Sequence, residues 1–396
     1  MPPGLSKRST CVMQSEIRSM SIECTRVGGI NLSQGVCDTE VPRAVRQAAQ
    51  RAIDDGFNIY TRYDGLKELR AALARKLRKQ GLVADPESEI TVSAGATGAF
   101  YATCLALLNP GDEVILFEPY YGYHVSTLRA LDGTPAFVAL QPPEWSFTAQ
   151  DLERVRTSRT RGIMVNTPAN PSGKVFSREE SETIARFACA HDLFAFTDEI
   201  YESFLYDGRQ HFPPARLPGM RPRTITISGL SKTFSITGWR IGYALSAARW
   251  AQTIGQFNDL VYVCAPAPLQ MGVARGLDAL GQEYYQLLRS DYTHKRDKLC
   301  TVLRKTGLAP HVPQGAYYIL ADISSIPGCS GRESALYILE RYGVACVPGE
   351  AFYANPAAGA NLARFCFAKS TADLDEACLR LERPGRWLRR PRKRRP

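Results

Sequence analysis

Hydrophobic positions follow two different periods along the first two thirds of the chain. Over four stretches the apolar residues recur every three to four positions, which is the spacing of an amphipathic helix. Short runs rich in Val, Ile and Phe lie between these stretches and predict buried strands. The predicted helices cover residues 43–56, 66–81, 96–108 and 178–191, and the predicted strands cover residues 89–95, 134–140, 161–168, 194–201 and 224–232. Because strands and helices alternate, the pattern predicts a mostly parallel sheet with helices on both faces.

The pattern changes near residue 284, where a long charged helix precedes short apolar strands at residues 315–323 and 362–368. This arrangement is typical of an α+β unit, and we expect the first 40 residues to pack with it. The sequence therefore predicts an α/β protein with a large domain and a smaller α+β domain. The predicted large domain spans 43–283, the small domain combines 1–42 with 284–382, and 383–396 form a disordered basic tail.

Composition narrows the class of protein. The chain has 396 residues, of which 44% are hydrophobic and 22% charged, as expected for a soluble globular enzyme. No apolar run approaches the roughly 20 residues of a membrane span, and the N-terminus lacks the apolar core of a signal peptide. The 11 cysteines include no CxxC pair and the 5 histidines form no cluster, so we expect reduced thiols, a cytoplasmic location and no metal site.

The formal net charge of +10 is mostly a property of the tail. Residues 383–396 hold eight basic side chains and no acidic one, which leaves the rest of the chain near neutral. Such a tail can bind nucleic acid or another acidic surface. Its low apolar content favours a solvated extension instead, so we do not expect nucleic acid as a partner.

The run SGLSKTFSITGWRIGY at residues 228–243 carries the clearest chemical signal. Lys232 stands among small residues, and Arg240 follows eight positions later. An amine is a nucleophile only when it is neutral, so a buried lysine with a lowered pKa suits covalent bonding to a carbonyl group. The planar fork of Arg240 suits a phosphate. Ser231 and Thr233 leave room for a flat ligand, and Gly238 lets the backbone approach the site.

Further polar residues each follow a predicted strand, which is where ligands bind in parallel sheets. Ala96 and Thr97 stand at a strand-to-helix turn, whose backbone N–H groups can point at a phosphate. Asp198 can pair with a protonated ring nitrogen, and Tyr201 can donate a hydrogen bond to an oxygen on the same ring.

Three more residues complete the candidate site. Asn170, in the run NTPANPSGKV, can donate to the same ring oxygen, and Tyr121 can cover the ring face. Arg364 is isolated among the apolar residues of a predicted strand. Because burying an arginine is unfavourable unless it meets an anion, Arg364 predicts either an anionic ligand or a structural ion pair.

From about Asn31 to Leu381 the chain resembles the class I/II aminotransferases of fold type I, which use pyridoxal phosphate (PLP). It is most similar to the branch that contains kynurenine aminotransferase, glutamine transaminase K and methionine aminotransferase. The resemblance rests on the runs NIYTRYDGLKELR, NPGDEVILFEPYY, NTPANPSGKVFSREE, TDEIYESFLYDGRQH, SGLSKTFSITGWRIGY, PQGAYYILADIS and RFCFAK.

The resemblance implies that Lys232 forms the Schiff base with PLP and moves protons. Asp198 would pair with the pyridine nitrogen, and Tyr201 and Asn170 would flank the phenolic oxygen. The other implied contacts are the phosphate with Ala96, Thr97 and Arg240, the ring face with Tyr121, and the substrate α-carboxylate with Arg364, Asn170 and the backbone of Gly35. Tyr60 would reach the phosphate of a neighbouring subunit, which implies a homodimer.

Two stretches depart from the family pattern. Gly229 stands where relatives often carry a phosphate-binding serine, and either Ser228 or Ser231 can compensate for it. Cys37 and Asp38 replace the usual Gly-x-Pro-Asp turn near the substrate, so the specificity can differ from that of relatives.

The sequence thus predicts a PLP-dependent aminotransferase that moves the α-amino group of an L-amino acid to a 2-oxo acid by a ping-pong mechanism. The alternative with the same cofactor is a carbon–sulfur β-lyase, which releases pyruvate and ammonia without an acceptor. A regulator with the aminotransferase fold is disfavoured, because the stretch before the first shared motif is too short for a helix-turn-helix domain.

The donor side chain is expected to be neutral, and either aromatic or long and apolar. The candidate pocket residues are Tyr60, Tyr63, Tyr121 and Phe352. A second buried carboxylate would need its own cation. Arg364 is assigned to the α-carboxylate, which leaves Arg62 as the nearby candidate.

Overall fold

A computed structural model describes residues 4–11 and 15–383 of the protein. Its helices are α1 Glu16–Val27, α2 Arg43–Asp54, α3 Lys67–Lys79, α4 Gly95–Leu107, α5 Gly122–Ala130, α6 Ala149–Val155, α7 Arg178–Ala190, α8 Ala248–Tyr262, α9 Ala267–Ala279, α10 Gln282–Lys305, α11 Gly331–Tyr342 and α12 Thr371–Glu382. Its strands are β1 Ile30–Asn31, β2 Ile90–Ala94, β3 Glu113–Glu118, β4 Thr134–Ala139, β5 Thr160–Asn166, β6 Phe194–Asp198, β7 Thr224–Gly229, β8 Ile241–Leu245, β9 Ala309–His311, β10 Tyr318–Asp322, β11 Val344–Ala345, β12 Val347–Pro348 and β13 Leu362–Cys366.

Seven strands form the main sheet in the order β2-β8-β7-β6-β5-β3-β4. The neighbouring pairs from β4 to β7 are parallel, whereas β8 runs antiparallel to both β7 and β2. Parallel neighbours need crossover connections, and α5 supplies one between β3 and β4 while α7 supplies one between β5 and β6. The predicted mostly parallel sheet is therefore confirmed.

Both faces of this sheet are buried, as continuous apolar strands predict. Successive side chains of a strand point to opposite faces, and β3 follows this rule. Val114 and Leu116 pack in one apolar cluster with residues of α4 and α5, while Ile115 and Phe117 pack in another with residues of α7. Helices therefore cover both faces, and the carboxyl ends of the strands form the edge where ligands can enter.

A smaller antiparallel sheet, in the order β12-β13-β10-β9, lies in the C-terminal part. Arg364 is the third of the five residues of β13 and lies opposite Leu320 of β10 and Val347 of β12. The N-terminal segment joins this part because β1 pairs in parallel with β11, with Ile30 opposite Val344. Residues far apart in the chain thus contribute to one end of the molecule.

The fold class agrees with the expectation from sequence. The predicted helices 43–56 and 66–81 correspond to α2 and α3, which each end two residues earlier. The domain boundaries stay a prediction, and residues 384–396 of the tail lie outside the described residues. Over residues 4–11 and 15–383, no helix combines the length and the apolar composition that crossing a membrane requires.

Candidate active site

A cavity of about 510 Å³ opens at the carboxyl ends of the main-sheet strands. Its walls include these residues predicted from the sequence: Gly35, Ala96, Thr97, Tyr121, Asn170, Asp198, Tyr201, Ser231, Lys232, Arg240 and Arg364. Tyr60 does not line this cavity and is 80% exposed. Its exposure leaves the side chain accessible to a second subunit.

Lys232 lies three residues after the end of β7, and its side chain reaches into the cavity. The Nζ atom donates a hydrogen bond to the carbonyl oxygen of Gly35 at 3.3 Å and lies 5.9 Å from the centroid of the Tyr317 ring. Burial is the main cause that lowers the pKa of this amine, and the positive charge of Arg240 acts in the same direction. The site thus favours the neutral amine, which is the nucleophilic form.

Arg240 and the start of α4 form a positively charged corner of the cavity. The helix begins at Gly95, so the N–H groups of Ala96 and Thr97 belong to the first turn, which has no intrahelical acceptors. A Cβ atom on Gly95 would lie 2.3 Å from Nη2 of Arg240, and the φ angle of Gly95 is +74°. Glycine is the residue that tolerates both conditions. The corner can hold a phosphate dianion between the helix N-terminus and the guanidinium.

Asp198 ends β6, and its carboxylate is held in place from two sides. Oδ2 lies 3.0 Å from Nε2 of His124, and Oδ1 accepts a hydrogen bond from the backbone N–H of Ile200 at 3.2 Å. Both Asp198 and His124 are buried. A buried carboxylate in this setting can pair with a protonated ring nitrogen of a ligand. Sequence reasoning missed His124, although it stands only three residues after Tyr121.

Asn170 is positioned by the strand next to β6. Its backbone N–H donates to Oδ1 of Asn166 at 2.8 Å, and Nδ2 of Asn166 donates to the carbonyl of Asp198 at 3.0 Å. The side-chain oxygen of Asn170 accepts a hydrogen bond from Nη1 of Arg364 at 2.8 Å. The amide NH2 group can therefore point its protons at a ligand.

Arg364 is fully buried, with 0% exposure. Its guanidinium stacks 4.3 Å from the centroid of the Tyr318 ring and 5.2 Å from that of Phe352, and Nη2 donates to the carbonyl of Ser33. Within the described part of the chain Arg364 forms no ion pair, and its Nε has no hydrogen-bond partner. The geometry therefore speaks against a structural ion pair and favours an anionic ligand.

The two serines left open by the sequence occupy different places. Ser231 lines the cavity. Ser228 is buried on β7, and its hydroxyl donates to the carbonyl of Glu199 at 3.3 Å and lies 3.4 Å from Oε1 of Glu202. A serine at position 229 would also meet the carbonyl of Ile241, which lies 2.9 Å from the place of a Cβ. Ser231 is therefore the better placed of the two for a phosphate.

Three residues that sequence reasoning did not single out also line the cavity: His124, Tyr318 and Arg18. Tyr318 stood in a quoted motif, and its hydroxyl lies 3.0 Å from that of Tyr201. Arg62, the candidate for a second carboxylate, is not among the lining residues and pairs with Asp64 and Glu87. Tyr63 and Phe352 do not line the cavity either. Phe352 contacts the guanidinium of Arg364, which does line it.

Two glutamates and a histidine approach one another outside the cavity. The possible ligand atoms of Glu199, Glu202 and His211 lie within 4.8 Å of one another. However, Nε2 of His211 lies 2.5 Å from Glu199, and Nζ of Lys76 lies 2.5 Å from Glu202. Since each carboxylate already has a cationic or hydrogen-bonding partner, we assign no metal to this group.

The residues of the cavity fit PLP part by part. The corner of Arg240, Ala96 and Thr97 suits the phosphate, and the carboxylate of Asp198 suits the pyridine nitrogen. Lys232 supplies an amine for the aldehyde, and Gly95 leaves space for the phosphate beside Arg240. The unpartnered Nε of Arg364 marks a second anion position beside the cofactor site.

Comparisons with known proteins agree with this geometry. The profile of the family "Aminotransferase class I and II" matches residues 27–381. The probable N-succinyldiaminopimelate aminotransferase of Mycobacterium tuberculosis is 38% identical over 92% of this chain and 96% of its own length, and the methionine aminotransferase of Escherichia coli is 33% identical over 89% and 91%. The solved structure of N-succinyldiaminopimelate aminotransferase from Mycobacterium tuberculosis superposes with a TM-score of 0.92 at 36% identity, covering 96% of this chain and 99% of that one. The chain therefore belongs to the class I and II aminotransferases, enzymes that use PLP.

Proposed function

We propose that this aminotransferase moves the α-amino group of an L-amino acid to a 2-oxo acid in two half-reactions, with Lys232 as the proton-transfer group and Arg364 as the α-carboxylate receptor. The observation that carries the proposal is that the lysine with the lowered pKa and the buried, unpaired arginine line the same cavity. The lysine amine can exchange a proton with the reacting carbon, and the arginine can bind the carboxylate that every amino acid and 2-oxo acid carries.

Substrate binding begins at Arg364. Its guanidinium is fixed by Asn170, by the Ser33 carbonyl and by the Tyr318 ring, so little side-chain entropy is lost when a carboxylate binds. Nε and the outer edge of the fork supply the donors for a charge-assisted pair. The α-carboxylate would therefore set the orientation of the Cα–H bond relative to the cofactor.

Lys232 would then transfer the proton of the substrate Cα. Burial lowers the pKa of its amine, which favours the neutral form that can accept a proton. When bound, PLP supplies an electron-withdrawing ring that stabilises the negative charge left on Cα. The Gly35 carbonyl can hold the Lys232 amine in place during proton transfer, because it already accepts a hydrogen bond from Nζ at 3.3 Å.

The remaining residues would hold the cofactor. We assign the phosphate to Arg240, Ser231 and the N–H groups of Ala96 and Thr97, and the ring face to Tyr121. Asp198, positioned by His124, would keep the pyridine nitrogen protonated, while Tyr201 and Asn170 would donate to the phenolic oxygen. Tyr60 would act across a homodimer interface, which its 80% exposure in the single chain supports.

For the donor we propose a neutral side chain, aromatic or long and apolar, next to the reacting carbon, as in the kynurenine, glutamine and methionine branch. The wall of the cavity supports this proposal with Tyr121, Tyr123, Phe100 and Val36. The names of the relatives point in different directions, since N-succinyldiaminopimelate and methionine are chemically distinct donors. Their similar identities do not select one of them.

The test is a panel of amino acids against several 2-oxo acids with purified holoenzyme. We expect turnover that requires an acceptor; release of pyruvate and ammonia without one would support the β-lyase alternative instead. Lys232→Ala should lower kcat by about 10²–10⁴-fold, the range of a lost acid–base group. Borohydride reduction followed by mass spectrometry should attach cofactor to the native chain and not to the variant. Near-native turnover of Lys232→Ala would exclude the proposed role.

A further inference from the structure

Positively charged side chains outnumber carboxylates in the described cavity wall. Among the described residues, the wall holds four Lys or Arg side chains, which are Arg18, Lys232, Arg240 and Arg364, but only one carboxylate, Asp198. In the proposed function Arg240 meets the phosphate, Arg364 meets the α-carboxylate, and Lys232 is the reacting amine. Arg18 is the cation left without an assigned anion.

The position of Arg18 is not explained by the stability of its own helix. It is the third residue of α1, where the helix dipole disfavours a positive charge. Glu16 in the same turn pairs with Arg332, and Arg26 at the other end of the helix pairs with Glu23 at 2.7 Å. Arg18 forms no ion pair with any residue of the described ranges, and its side chain is exposed at the cavity mouth. Its charge is thus available to an incoming ligand.

One part of the cavity wall is uncharged. Ile17, Val36 and Tyr123 offer apolar surface, and Gln34 offers an uncharged amide. A ligand that crosses this stretch needs methylene groups in contact with the wall and can carry charge only at its far end. An anionic end would meet Arg18, whose fork binds a carboxylate with two parallel hydrogen bonds.

We propose that Arg18 is a specificity-determining residue that binds the carboxylate at the end of a long donor side chain. The substrate class is then an L-amino acid whose α-carbon and distal carboxylate are separated by several methylene groups. The inference rests on the proposed transamination and changes the proposed donor in one respect: the side chain stays apolar next to the reacting carbon but ends in a carboxylate.

Two donors of similar length provide the test. Wild-type holoenzyme should use L-α-aminoadipate, which ends in a carboxylate, with a higher kcat/KM than L-norleucine, which ends in a methyl group. Arg18→Gln should lower kcat/KM for aminoadipate by about 10- to 100-fold, mainly through KM, as expected for one lost charge-assisted hydrogen-bonding group. The value for norleucine should stay within about twofold. Arg26→Gln, on the same helix but outside the cavity wall, is the matched control and should change neither donor.

A binding measurement separates this inference from the proposed function. Adipate should perturb the cofactor absorbance of the wild-type holoenzyme at lower concentration than hexanoate, and Arg18→Gln should remove that difference. Loss of the adipate preference would then be seen even if neither donor were turned over, a result that would refute the proposed function alone. Equal effects of Arg18→Gln on both donors, or an unchanged adipate preference, would overturn the assignment of Arg18.

Discussion

The hydroxyl oxygens of Tyr201 and Tyr318 lie 3.0 Å apart, although Tyr201 follows β6 of the main sheet, Tyr318 begins β10 of the smaller sheet, and 117 positions separate them. Burial raises the pKa of both phenols, to about 12 for Tyr318, so both hydroxyls keep their protons at neutral pH. Each tyrosine has one proton to donate. If Tyr201 donates to the phenolic oxygen of the cofactor, Tyr318 is the group that donates to Tyr201.

Tyr318→Phe should therefore weaken the hydrogen bond from Tyr201 to the cofactor. We expect kcat/KM to fall about fivefold, in line with about 1 kcal/mol for one hydrogen bond. The pKa at which the cofactor absorbance changes should rise, because the anionic phenolic oxygen is less stabilised. A spectral pH titration measures this shift. An unchanged midpoint would show that Tyr318 does not act through Tyr201.

Gly35→Ala tests how closely the Gly35 backbone packs against the hydroxyl group of Tyr318. A Cβ on Gly35 would lie 1.9 Å from Oη of Tyr318, so either the loop or the ring must move. We expect a loss of about tenfold in kcat/KM, similar to other displaced site residues. The double variant Gly35→Ala/Tyr318→Phe should recover part of this loss because the colliding oxygen is gone. A double-mutant cycle of kcat/KM and Tm would reveal additive effects if the two residues were independent.

His124→Asn should loosen the cofactor. The imidazole lies 3.0 Å from Oδ2 of Asp198, and without it the carboxylate keeps the Ile200 N–H as its hydrogen-bond donor among the described residues. We expect the dissociation constant of PLP to rise about 10-fold, as for a lost hydrogen bond to a charged group. Spectral titration of the apoenzyme measures it. His294→Asn, at an exposed position of α10, is the control and should leave the constant unchanged.

The lowered pKa of Lys232 predicts a pH-dependent stability of the apoenzyme. Between the folded pKa and the unfolded value of 10.5, the unfolded chain binds the proton that the folded chain lacks, so the destabilisation that this lysine causes decreases as pH rises. Lys232→Met should raise the Tm at neutral pH, and its advantage should shrink toward pH 10.5. Lys305→Met, at an exposed position, should show no such trend. A constant difference across the pH range would contradict the lowered pKa.

Deletion of residues 385–396 should leave turnover unchanged, because every proposed site residue lies between Arg18 and Arg364. Steady-state kinetics with the native chain as reference measure this. If the shortened enzyme lost only its salt-sensitive retention on immobilised nucleic acid, the tail would have an electrostatic role separate from catalysis.

Local patterns were sufficient to predict the main sheet and the strand-end residues. Asp198, Asn170 and Lys232 could be placed together because the carboxyl ends of parallel strands share one edge. The absence of Arg62 from the cavity wall could not be predicted, since its side chain is held by ion pairs with Asp64 and Glu87. Nothing in the sequence around Arg62 or Glu87 indicates that these side chains form an ion pair.

One physical reason explains why sequence reasoning did not predict three residues of the cavity wall. His124, Tyr318 and Arg18 enter the cavity from three different elements, and each depends on packing between segments far apart in the chain. Arg18 reads as an ordinary polar position of an amphipathic helix. The pairing of β1 with β11 and the ion pair of Glu16 with Arg332 hold the N-terminal segment against the C-terminal part.

The carbonyl of Gly35 accepts from two donors, Nζ of Lys232 at 3.3 Å and the hydroxyl of Tyr317 at 3.2 Å. Gly35 belongs to the segment that follows β1, whereas Lys232 follows β7. Whenever the amine turns away to take up a proton or to bond elsewhere, the Gly35 carbonyl loses one of its two hydrogen bonds. By thermodynamic reciprocity, any ligand that orders the segment must also change the free energy of releasing the amine. The chemical state of one lysine and the order of the N-terminal segment are therefore a single coupled equilibrium.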